Sequence, residues 1–218
     1  MSGAERSIAS VLALAPVMPV LTVSDVASAV ATARALVDGG LRAIEVTLRT
    51  PGALDALAAI ARDVPGAVVG AGTVLDAAQL AACARAGAAF AVSPGCTPRL
   101  LESARDAGLP FLPGVATVSE LMRARESGYL ALKLFPAATV GVAFLRAVAG
   151  PFPDARFCPT GGIGEDNAGE WLALPNVACV GGSWLAPPAL VAESAWDRIA
   201  ANARRAAALR QGSSTQAP

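Results

Sequence analysis

The sequence alternates between short apolar runs and longer alanine-rich segments along most of its length. Short apolar runs bounded by glycine, proline or aspartate indicate buried β-strands, whereas longer segments with apolar residues three or four apart indicate helices. Because helical segments separate the short runs at regular intervals, the strands are expected to lie parallel to one another. The pattern predicts eight strands, over residues 17–23, 43–49, 67–74, 89–95, 110–115, 130–136, 155–162 and 177–183.

Helix boundary signals occur in the segments between the strands. One segment begins near Asp25, a residue type that caps helix starts, and reaches Gly39, a residue type that ends helices. Residues 76–88 and 119–128 repeat this form, each with a glycine at or near its end. A further short helix is expected over residues 4–14, ahead of the first strand.

The apolar stretch over residues 8–23 also has some features of a secretion signal. Pro16 and Pro19 interrupt it, and Arg6 is the only basic residue before it. A short helix followed by a strand accounts for the same residues, so export is the less favoured interpretation. No other segment approaches the roughly 20 apolar residues of a membrane span, so we expect no membrane partner.

Eight strands that alternate with helices predict an α/β protein of the (β/α)8 TIM-barrel class, with a short N-terminal helix. An open, doubly wound parallel sheet is the alternative architecture. The pattern continues without a linker, which predicts a single domain over residues 1–209. The polar residues 210–218 are expected to form a disordered tail.

The amino-acid composition argues against several functional classes for this protein. The 218 residues are 54% hydrophobic and include 17 basic and 17 acidic residues, so the formal net charge is zero. This balance argues against a nucleic-acid partner or an anionic membrane surface. The chain has no histidine and its four cysteines are far apart, so neither a metal site nor a disulfide framework is predicted. Reduced cysteines indicate a cytoplasmic protein.

Lys133 is the only lysine in the chain, and it stands within the apolar run over residues 130–136. Side chains alternate between the two faces of a strand, so the leucines of this run share one face, and Lys133 shares the other with Ala131 and Phe135. The leucine face suits packing against helices. Lys133 is therefore expected to point into the barrel, close to the carboxyl ends of the strands, where barrels carry their active sites.

The same alternation adds polar side chains to the barrel interior from two other strands. It directs Glu45, Thr47 and Arg49 inward from the second strand. It also directs Ala71 and Thr73 inward from the third strand. The predicted interior thus holds an amine, a carboxylate, a guanidinium group and hydroxyl groups in one enclosure.

A buried lysine near a carboxylate and an arginine favours covalent chemistry on a carbonyl carbon. Burial and a nearby Arg49 favour the neutral, nucleophilic form of Lys133, whereas Glu45 favours the ammonium form. A Schiff base on Lys133 would act as an electron sink, so that a bond to the adjacent carbon could break or form. Glu45 is the leading proton shuttle, and Arg49 offers a planar pair of donors to a substrate carboxylate.

These residues also have structural interpretations. A drift from lysine to arginine across the chain would leave Lys133 as a chance survivor paired with a carboxylate. In a second structural interpretation, Glu45 and Arg49 form an internal salt bridge with each other. Four residues of extended strand span about 13 Å, however, so contact between them is not forced.

Two glycine pairs follow the seventh and eighth strands. They are Gly161–Gly162 in the segment CPTGGIGEDN and Gly181–Gly182 in the segment CVGGSW. A single glycine pair often marks only a tight turn. Two pairs on adjacent strands of a barrel favour a phosphate site, because backbone N–H groups there surround an anion.

Eight ordered motifs resemble those of the 2-keto-3-deoxy-6-phosphogluconate (KDPG) aldolases, class I enzymes that also act on 4-hydroxy-2-oxoglutarate (KHG). The likeness covers about residues 7–200, in PVMPVLTV, GGLRAIEVTLRT, VVGAGTVL, FAVSPG, LPGVATVSEL, LKLFPA, RFCPTGGI and CVGGSWL. The resemblance implies a (β/α)8 barrel that assembles as a homotrimer and needs neither a metal nor another cofactor. The implied partners are small molecules, namely a phosphorylated 2-keto-3-deoxy sugar acid and pyruvate.

The resemblance also implies a role for each matching residue. Lys133 corresponds to the Schiff-base lysine and Glu45 to the general acid and base. The implied substrate-binding residues are Arg49 and Thr73 for pyruvate, Pro94 and Phe135 as pocket walls, Thr160 near the substrate hydroxyl, and Gly161, Gly162, Gly182 and Ser183 around the phosphate.

One motif departs from the family pattern. After FPA the family commonly has a glutamate, a small residue and two glycines, whereas this chain reads FPAATVGV, with Ala138 in place of the glutamate. The lysine chemistry is expected to survive this change. The change is expected to affect substrate preference and the position of the loop most.

The expected reaction is cleavage of KDPG to pyruvate and D-glyceraldehyde 3-phosphate. The nearest alternative is the same chemistry on the galactonate epimer or on an unphosphorylated 2-keto acid. A sugar-phosphate isomerase or epimerase barrel is an alternative of another class, because it would use the glycine pairs without a Schiff base. A phosphate-binding protein without turnover is the third interpretation.

Overall fold

The computed structural model describes residues 7–209, which form short β-strands connected by helices. The strands are β1 (Val17–Leu21), β2 (Ala43–Thr47), β3 (Val68–Gly72), β4 (Ala91–Val92), β5 (Phe111–Leu112), β6 (Gly114–Val115), β7 (Ala131–Leu134), β8 (Arg156–Pro159) and β9 (Val180–Gly182). The helices are α1 (Ile8–Leu12), α2 (Val26–Asp38), α3 (Ala53–Asp63), α4 (Ala77–Arg85), α5 (Pro98–Asp106), α6 (Val118–Glu126), α7 (Ala137–Val140), α8 (Val142–Val148), α9 (Ala168–Leu172), α10 (Pro188–Ala192) and α11 (Trp196–Ala207). The predicted tail over residues 210–218 and the first residues of the predicted opening helix lie outside the described residues.

Hydrogen bonds join the strands into two parallel sheets. One has the strand order β5-β4-β3-β2-β1-β9, and the other has the order β6-β7-β8. Neighbours in the larger sheet follow the chain order and the last strand pairs with the first, unlike a doubly wound sheet, whose order reverses at a switch point. Bridges pair Phe157 with Val177 and Thr160 with Gly181, which brings β8 beside β9. The molecule is therefore an α/β protein whose parallel strands curl around an interior.

The predicted strands are confirmed in position, but they are shorter than predicted. The fifth forms two strands, because Pro113 interrupts it: β5 pairs with β4, and β6 pairs with β7. Proline has no N–H to donate, so it interrupts a ladder of hydrogen bonds. β2 ends at Thr47 and β3 ends at Gly72, so Arg49 and Thr73 both lie in the turns that follow.

The helices lie in their predicted segments, but some ends differ by a few residues, and α1 already ends at Leu12. Asp25 caps α2, because its Oδ1 accepts a hydrogen bond of 2.8 Å from the backbone N–H of Ser28, and Gly39 is the residue that ends α2. α4 and α6 overlap their predicted segments. None of the helices within residues 7–209 has both the length and the apolar character needed to cross a membrane.

Two sets of buried apolar side chains form the core. The larger set lies between the strands and the helices, and it contains the outward Leu132 and Leu134 of β7. The smaller set fills the space inside the strands, and it contains Val68 of β3 together with Val11 and Leu12 of α1. α1 therefore packs against the amino ends of the strands, so that the polar side chains of the interior lie toward their carboxyl ends.

The alternation of β3 differs from the prediction. Val68 belongs to the interior cluster and Ala71 to the outer one, so Gly70 and Gly72 face the interior. The prediction that Ala71 points inward is therefore wrong. Gly70 and Gly72 carry no side chain, so the pattern of polar and apolar residues could not indicate that these two positions face inward. Thr73 has a φ of 60° and leaves the strand there, so alternation does not determine its direction.

Candidate active site

Lys133 and Glu45 form an ion pair in the interior of the strands. Lys133 Nζ lies 3.1 Å from Glu45 Oε1 and 3.4 Å from Oε2, and it donates to the carboxylate. Both residues are almost completely buried, with 4% and 2% of their surfaces exposed. Both side chains therefore point inward, as the alternation predicts.

The flanking strands position this pair. By the register of the parallel ladders, Lys133 on β7 lies between Gly114 on β6 and Cys158 on β8. Glu45 on β2 lies opposite Gly70 on β3. Each charged residue thus has a glycine as its partner on a neighbouring strand.

The two predicted pocket walls lie close to the lysine. The Phe135 ring centroid is 5.4 Å from Lys133 Nζ, within the range of a cation–π contact. The same ring packs against Gly161, where an added Cβ would lie 3.2 Å from the ring. Pro94 packs against Gly114, because an added Cβ at that glycine would overlap the Pro94 backbone. Gly114 is the ladder partner of Lys133, so Pro94 also lies beside the lysine strand.

Arg49 and Thr73 meet at the carboxyl ends of adjacent strands. Arg49 Nε donates a hydrogen bond of 3.3 Å to Thr73 Oγ1. The left-handed backbone of Thr73 is the feature that places its hydroxyl group there. Among the described residues the ion pair of Glu45 is the one with Lys133, so the alternative salt bridge between Glu45 and Arg49 is wrong.

An open cavity of about 530 Å³ lies at the carboxyl ends of the strands. Its volume is in the range of about 300–1,000 Å³ that is usual for small-molecule sites. Lys133 and Glu45 lie deeper, next to the Phe135 ring. The predicted substrate-binding residues that line the cavity are Arg49, Phe135, Thr160, Gly161, Gly162, Gly182 and Ser183.

The glycine pairs are required by their local geometry and also line the cavity. Gly161 and Gly162 have φ values of 99° and 75°, a region that favours glycine. A Cβ on Gly182 would overlap the Trp184 indole. Gly161 and Gly162 therefore fit both the turn interpretation and the phosphate-site interpretation, whereas Gly181 and Gly182 are the last residues of β9 and line the cavity beside the turn that follows.

The loop that carries Ala138 is held by backbone hydrogen bonds. The N–H of Ala137 donates to the Thr160 carbonyl, and the N–H of Ala138 donates to the Gly161 carbonyl, both at 2.9 Å. A Cβ on Gly162 would overlap the methyl group of Ala138. Backbone contacts, rather than a side-chain carboxylate, therefore join the loop after β7 to the loop after β8.

Several residues of the cavity wall were not predicted from the sequence, and Thr22 and Trp184 are the two with polar groups or an aromatic ring. Thr22 follows β1 just as Arg49 follows β2, so a polar residue after a strand was the available signal. Trp184 directly follows Ser183, which was predicted. The inward hydroxyl of Thr47 is satisfied within the fold, because its Oγ1 lies 3.0 Å from Thr22 Oγ1 and donates to the Leu21 carbonyl at 2.9 Å.

This arrangement suits proton transfer next to a nucleophilic amine. A carboxylate oxygen 3.1 Å from the amine nitrogen is within the hydrogen-bond reach that a general base requires. The ion pair alone would also serve a structural role. The adjoining cavity, its position at the carboxyl ends of parallel strands and its predicted substrate residues favour chemistry.

Comparison with known proteins gives one consistent result. The chain matches the family model for KDPG and KHG aldolase over residues 8–202. It is 53% identical to the 2-dehydro-3-deoxy-phosphogluconate aldolase of Pseudoalteromonas atlantica, over 88% of this chain and 90% of that protein. It is 51% identical to the KHG/KDPG aldolase of Escherichia coli K12, over 93% of this chain and 95% of that protein.

Solved structures agree with this result. The KDPG aldolase from Legionella pneumophila, with pyruvate captured as a covalent carbinolamine intermediate, has a TM-score of 0.91 and 43% sequence identity, over 93% of this chain and 98% of that one. The aldolase of Zymomonas mobilis ZM4 with 3-phosphoglycerate has a TM-score of 0.89 and 46% identity, over 95% and 98% of the two chains. Sequence motifs, fold and site thus agree along nearly the whole chain, which belongs to the KDPG and KHG aldolase family.

Proposed function

We propose that this protein is a class I aldolase that cleaves KDPG to pyruvate and D-glyceraldehyde 3-phosphate. The observation that carries the proposal is the only lysine of the chain, which lies buried against Glu45 beside an open cavity. The names of the relatives supply the substrate. Cleavage of KHG to pyruvate and glyoxylate follows by the same steps on a shorter substrate without a phosphate.

The reaction begins with Lys133 as the nucleophile. Glu45 accepts a proton from the ammonium group, and the neutral amine attacks the C2 carbonyl carbon. Glu45 then carries protons from the nitrogen to the former carbonyl oxygen, which leaves the carbinolamine as water and gives the Schiff base. The separation of 3.1 Å between the amine and the carboxylate permits these transfers without a relay.

The protonated Schiff base then accepts the electrons of the bond that breaks. Removal of the proton from the C4 hydroxyl lets the C3–C4 bond open, its electron pair forms the enamine, and glyceraldehyde 3-phosphate leaves. Protonation of the enamine at C3 restores the Schiff base, and water releases pyruvate. Glu45 is the proposed proton carrier, because among the described residues it is the carboxylate paired with Lys133.

The remaining predicted residues are proposed to bind the two ends of the substrate. Arg49, held by Thr73, offers its guanidinium group to the pyruvate carboxylate. Phe135 and Pro94 are proposed to enclose the carbons next to the lysine, and Thr160 is proposed to lie near the substrate hydroxyl group, since Phe135 and Thr160 line the cavity and Pro94 packs against the strand beside Lys133. The phosphate is proposed to bind at Gly161, Gly162, Gly182 and Ser183, where turns expose the backbone to the cavity.

We also propose that the strands close into a complete (β/α)8 barrel within one domain over residues 1–209. The bridges beside β9 support closure at one seam. At the other seam β5 and β6 are separated only by Pro113. By resemblance, the protein is proposed to assemble as a homotrimer in the cytoplasm, without a metal, another cofactor, nucleic acid or a membrane as partner.

Reductive trapping with pyruvate tests the proposed mechanism. The protein is incubated with pyruvate and borohydride, and its intact mass and peptide masses are measured. Because Lys133 is the only lysine, peptide masses need to distinguish an adduct on its side chain only from one on a terminal α-amino group. We expect one reduced pyruvate adduct, located on Lys133.

Lys133→Arg is the matched variant for this test, because it keeps a positive charge and removes the nucleophile. It is expected to lose both the adduct and KDPG cleavage while retaining a similar melting temperature. Protein that cleaves KDPG but forms no adduct on Lys133 would contradict the Schiff-base mechanism. Protein that neither forms the adduct nor cleaves KDPG would favour an isomerase, an epimerase or a binding protein.

The substrate is tested separately from the mechanism. The value of kcat/KM is compared for KDPG, for its galactonate epimer and for KHG. We expect KDPG to give a higher value than KHG, because the glycine pairs line the cavity where the phosphate is proposed to bind, and a higher value than the epimer, because the relatives are KDPG aldolases. A higher value for the epimer or for KHG would reassign the substrate and leave the lysine chemistry in place.

A further inference from the structure

The third strand faces the interior with two glycines, and each makes room for a side chain of another strand. Gly70 accommodates the Phe90 ring, since an added Cβ would lie 2.5 Å from the ring carbon Cδ2. Gly72 accommodates Glu45, since an added Cβ would lie 2.6 Å from the carboxylate carbon and still closer to Oε1. Real Cβ atoms do not approach other heavy atoms so closely, so a methyl group on Gly72 would displace the carboxylate.

The backbone does not explain the glycine at position 72. Gly72 is the last residue of β3 and is paired in register with Thr47 of β2. The glycines of the chain with left-handed φ values are at other positions, so the strand conformation here suits any residue. The contact with Glu45 is therefore what a side chain at this position would disturb.

Glu45 has little room to move aside. Its ladder partner on β3 is Gly70, and the Phe90 ring already covers that glycine. The glutamate side chain is 2% exposed, so it also lacks a path to solvent. A methyl group on Gly72 would thus force the carboxylate away from its present contact with Lys133 Nζ.

We propose that Gly72 is a positioning residue for the reaction, because the absence of a side chain there lets the Glu45 carboxylate lie against the Lys133 amine. Gly72 supplies no reacting group in this role, and it acts only through the position of the Glu45 carboxylate. The catalytic consequence rests on the proposed function, in which Glu45 carries the protons. The structural consequence, coupling between positions 72 and 45, does not.

The test is a double-mutant cycle with Gly72→Ala and Glu45→Ala, measured in the full-length protein. In the parent, Gly72→Ala is expected to lower the melting temperature by roughly 3–10 °C. It is also expected to lower kcat for KDPG cleavage by about 100-fold, within the range that a positioned proton carrier supplies, with a much smaller change in KM. The pH profile of kcat should change as well, which a purely structural defect would not cause.

In the Glu45→Ala background the added methyl group no longer meets a carboxylate. There, Gly72→Ala is expected to change neither kcat nor the melting temperature appreciably. Gly39→Ala is the matched control for stability, because its added Cβ would overlap Ala203 on α11 and not Glu45. Its effect on the melting temperature should be the same with and without Glu45. Gly52→Ala, with open space around the added Cβ, should leave activity unchanged.

Equal losses of stability from Gly72→Ala in both backgrounds would overturn the proposal. So would a Gly72→Ala variant with the kcat and pH profile of the parent. If Gly72→Ala does not fold, the double variant with Glu45→Ala must fold, and its failure would overturn the proposal too. If Glu45→Ala cleaves KDPG at the parent rate, the proposed role of Glu45 fails, while the stability cycle still decides whether position 72 places that side chain.

Discussion

The chemistry at the scale of single residues depends on one carboxylate and one amine. Glu45 is 2% exposed and contacts Lys133 through both carboxylate oxygens, so nearly all of its interaction with solvent has been replaced by this contact. Burying two charges is costly unless they are paired. The fold must therefore keep the two charges in contact. The glycines on the neighbouring strands leave the space that this contact needs.

Replacing Glu45 with glutamine keeps the shape of the side chain and removes its ability to exchange protons. Glu45→Gln is expected to lower kcat by about 10²–10⁴-fold, the usual contribution of a general acid and base, with a smaller effect on KM. Steady-state cleavage of KDPG measures both constants. Glu102→Gln, at an exposed position of α5, is the matched control and should behave like the parent. A Glu45→Gln variant with parental kcat would assign the proton transfers to another group.

The directions of Lys133 and Glu45 were predictable, because single polar residues within apolar strands reveal which face they occupy. The direction of Ala71 was predicted wrongly for the opposite reason. Its neighbours at 70 and 72 are glycines, which have no polar or apolar side chain to indicate a face. Close approach between strands is also invisible in a sequence. The requirement for glycine at position 72 therefore emerged only from the position of the Glu45 side chain.

At the scale of elements, α2 begins at a cap that depends on pH. The backbone N–H of Ser28 donates to the Asp25 carboxylate, which lowers the pKa of Asp25 below its ordinary value of 3.8. A carboxyl group whose pKa is lowered by folding stabilises the protein above its unfolded pKa, and this contribution is lost as the pH falls through the folded pKa.

Asp25→Ala is therefore expected to lower the melting temperature at neutral pH, and the difference from the parent should narrow below about pH 4. Thermal unfolding at a series of pH values measures it. Asp25→Asn keeps the oxygen that accepts from Ser28 and does not titrate. The gap between the asparagine and alanine variants should accordingly be the same at each pH. A gap between parent and alanine that stays constant down to pH 2 would contradict the assigned cap.

Element positions were predictable in outline, and their ends were not. Periodicity located the strands, with β5 and β6 predicted as one, since each lies within a short apolar run of the sequence. The exchange of pairing partners at Pro113 depends on how β4 and β7 are arranged in space, which periodicity does not contain. The end of β3 depends on the left-handed turn at Thr73, a conformation that threonine rarely adopts.

At the scale of the whole molecule, the expected assembly is a homotrimer. Native mass spectrometry at micromolar concentration should show a species of three times the chain mass, and sedimentation should agree. Lys133→Arg is a suitable control, because its change is buried in the interior of the strands and should leave assembly unchanged. A monomer in both measurements would contradict the prediction.

Chain order and composition predicted the α/β class, but they did not contain the pairing of β9 with β1. Such pairing joins residues from opposite ends of the sequence, and no local pattern reports it. The expectation of that pairing rested on the general (β/α)8 architecture, which eight strands alternating with helices predict and the family resemblance also implies.

The buried position of the single lysine has a further consequence for the chemical durability of the protein. The proposed reaction releases an aldehyde, and aldehydes condense with accessible amines. The exterior offers no lysine side chain for such condensation, because the one lysine is 4% exposed and the other basic residues are arginines. Apart from a terminal amino group, the one amine of the protein is thus the buried Lys133, which the proposed reaction joins to pyruvate and not to the aldehyde.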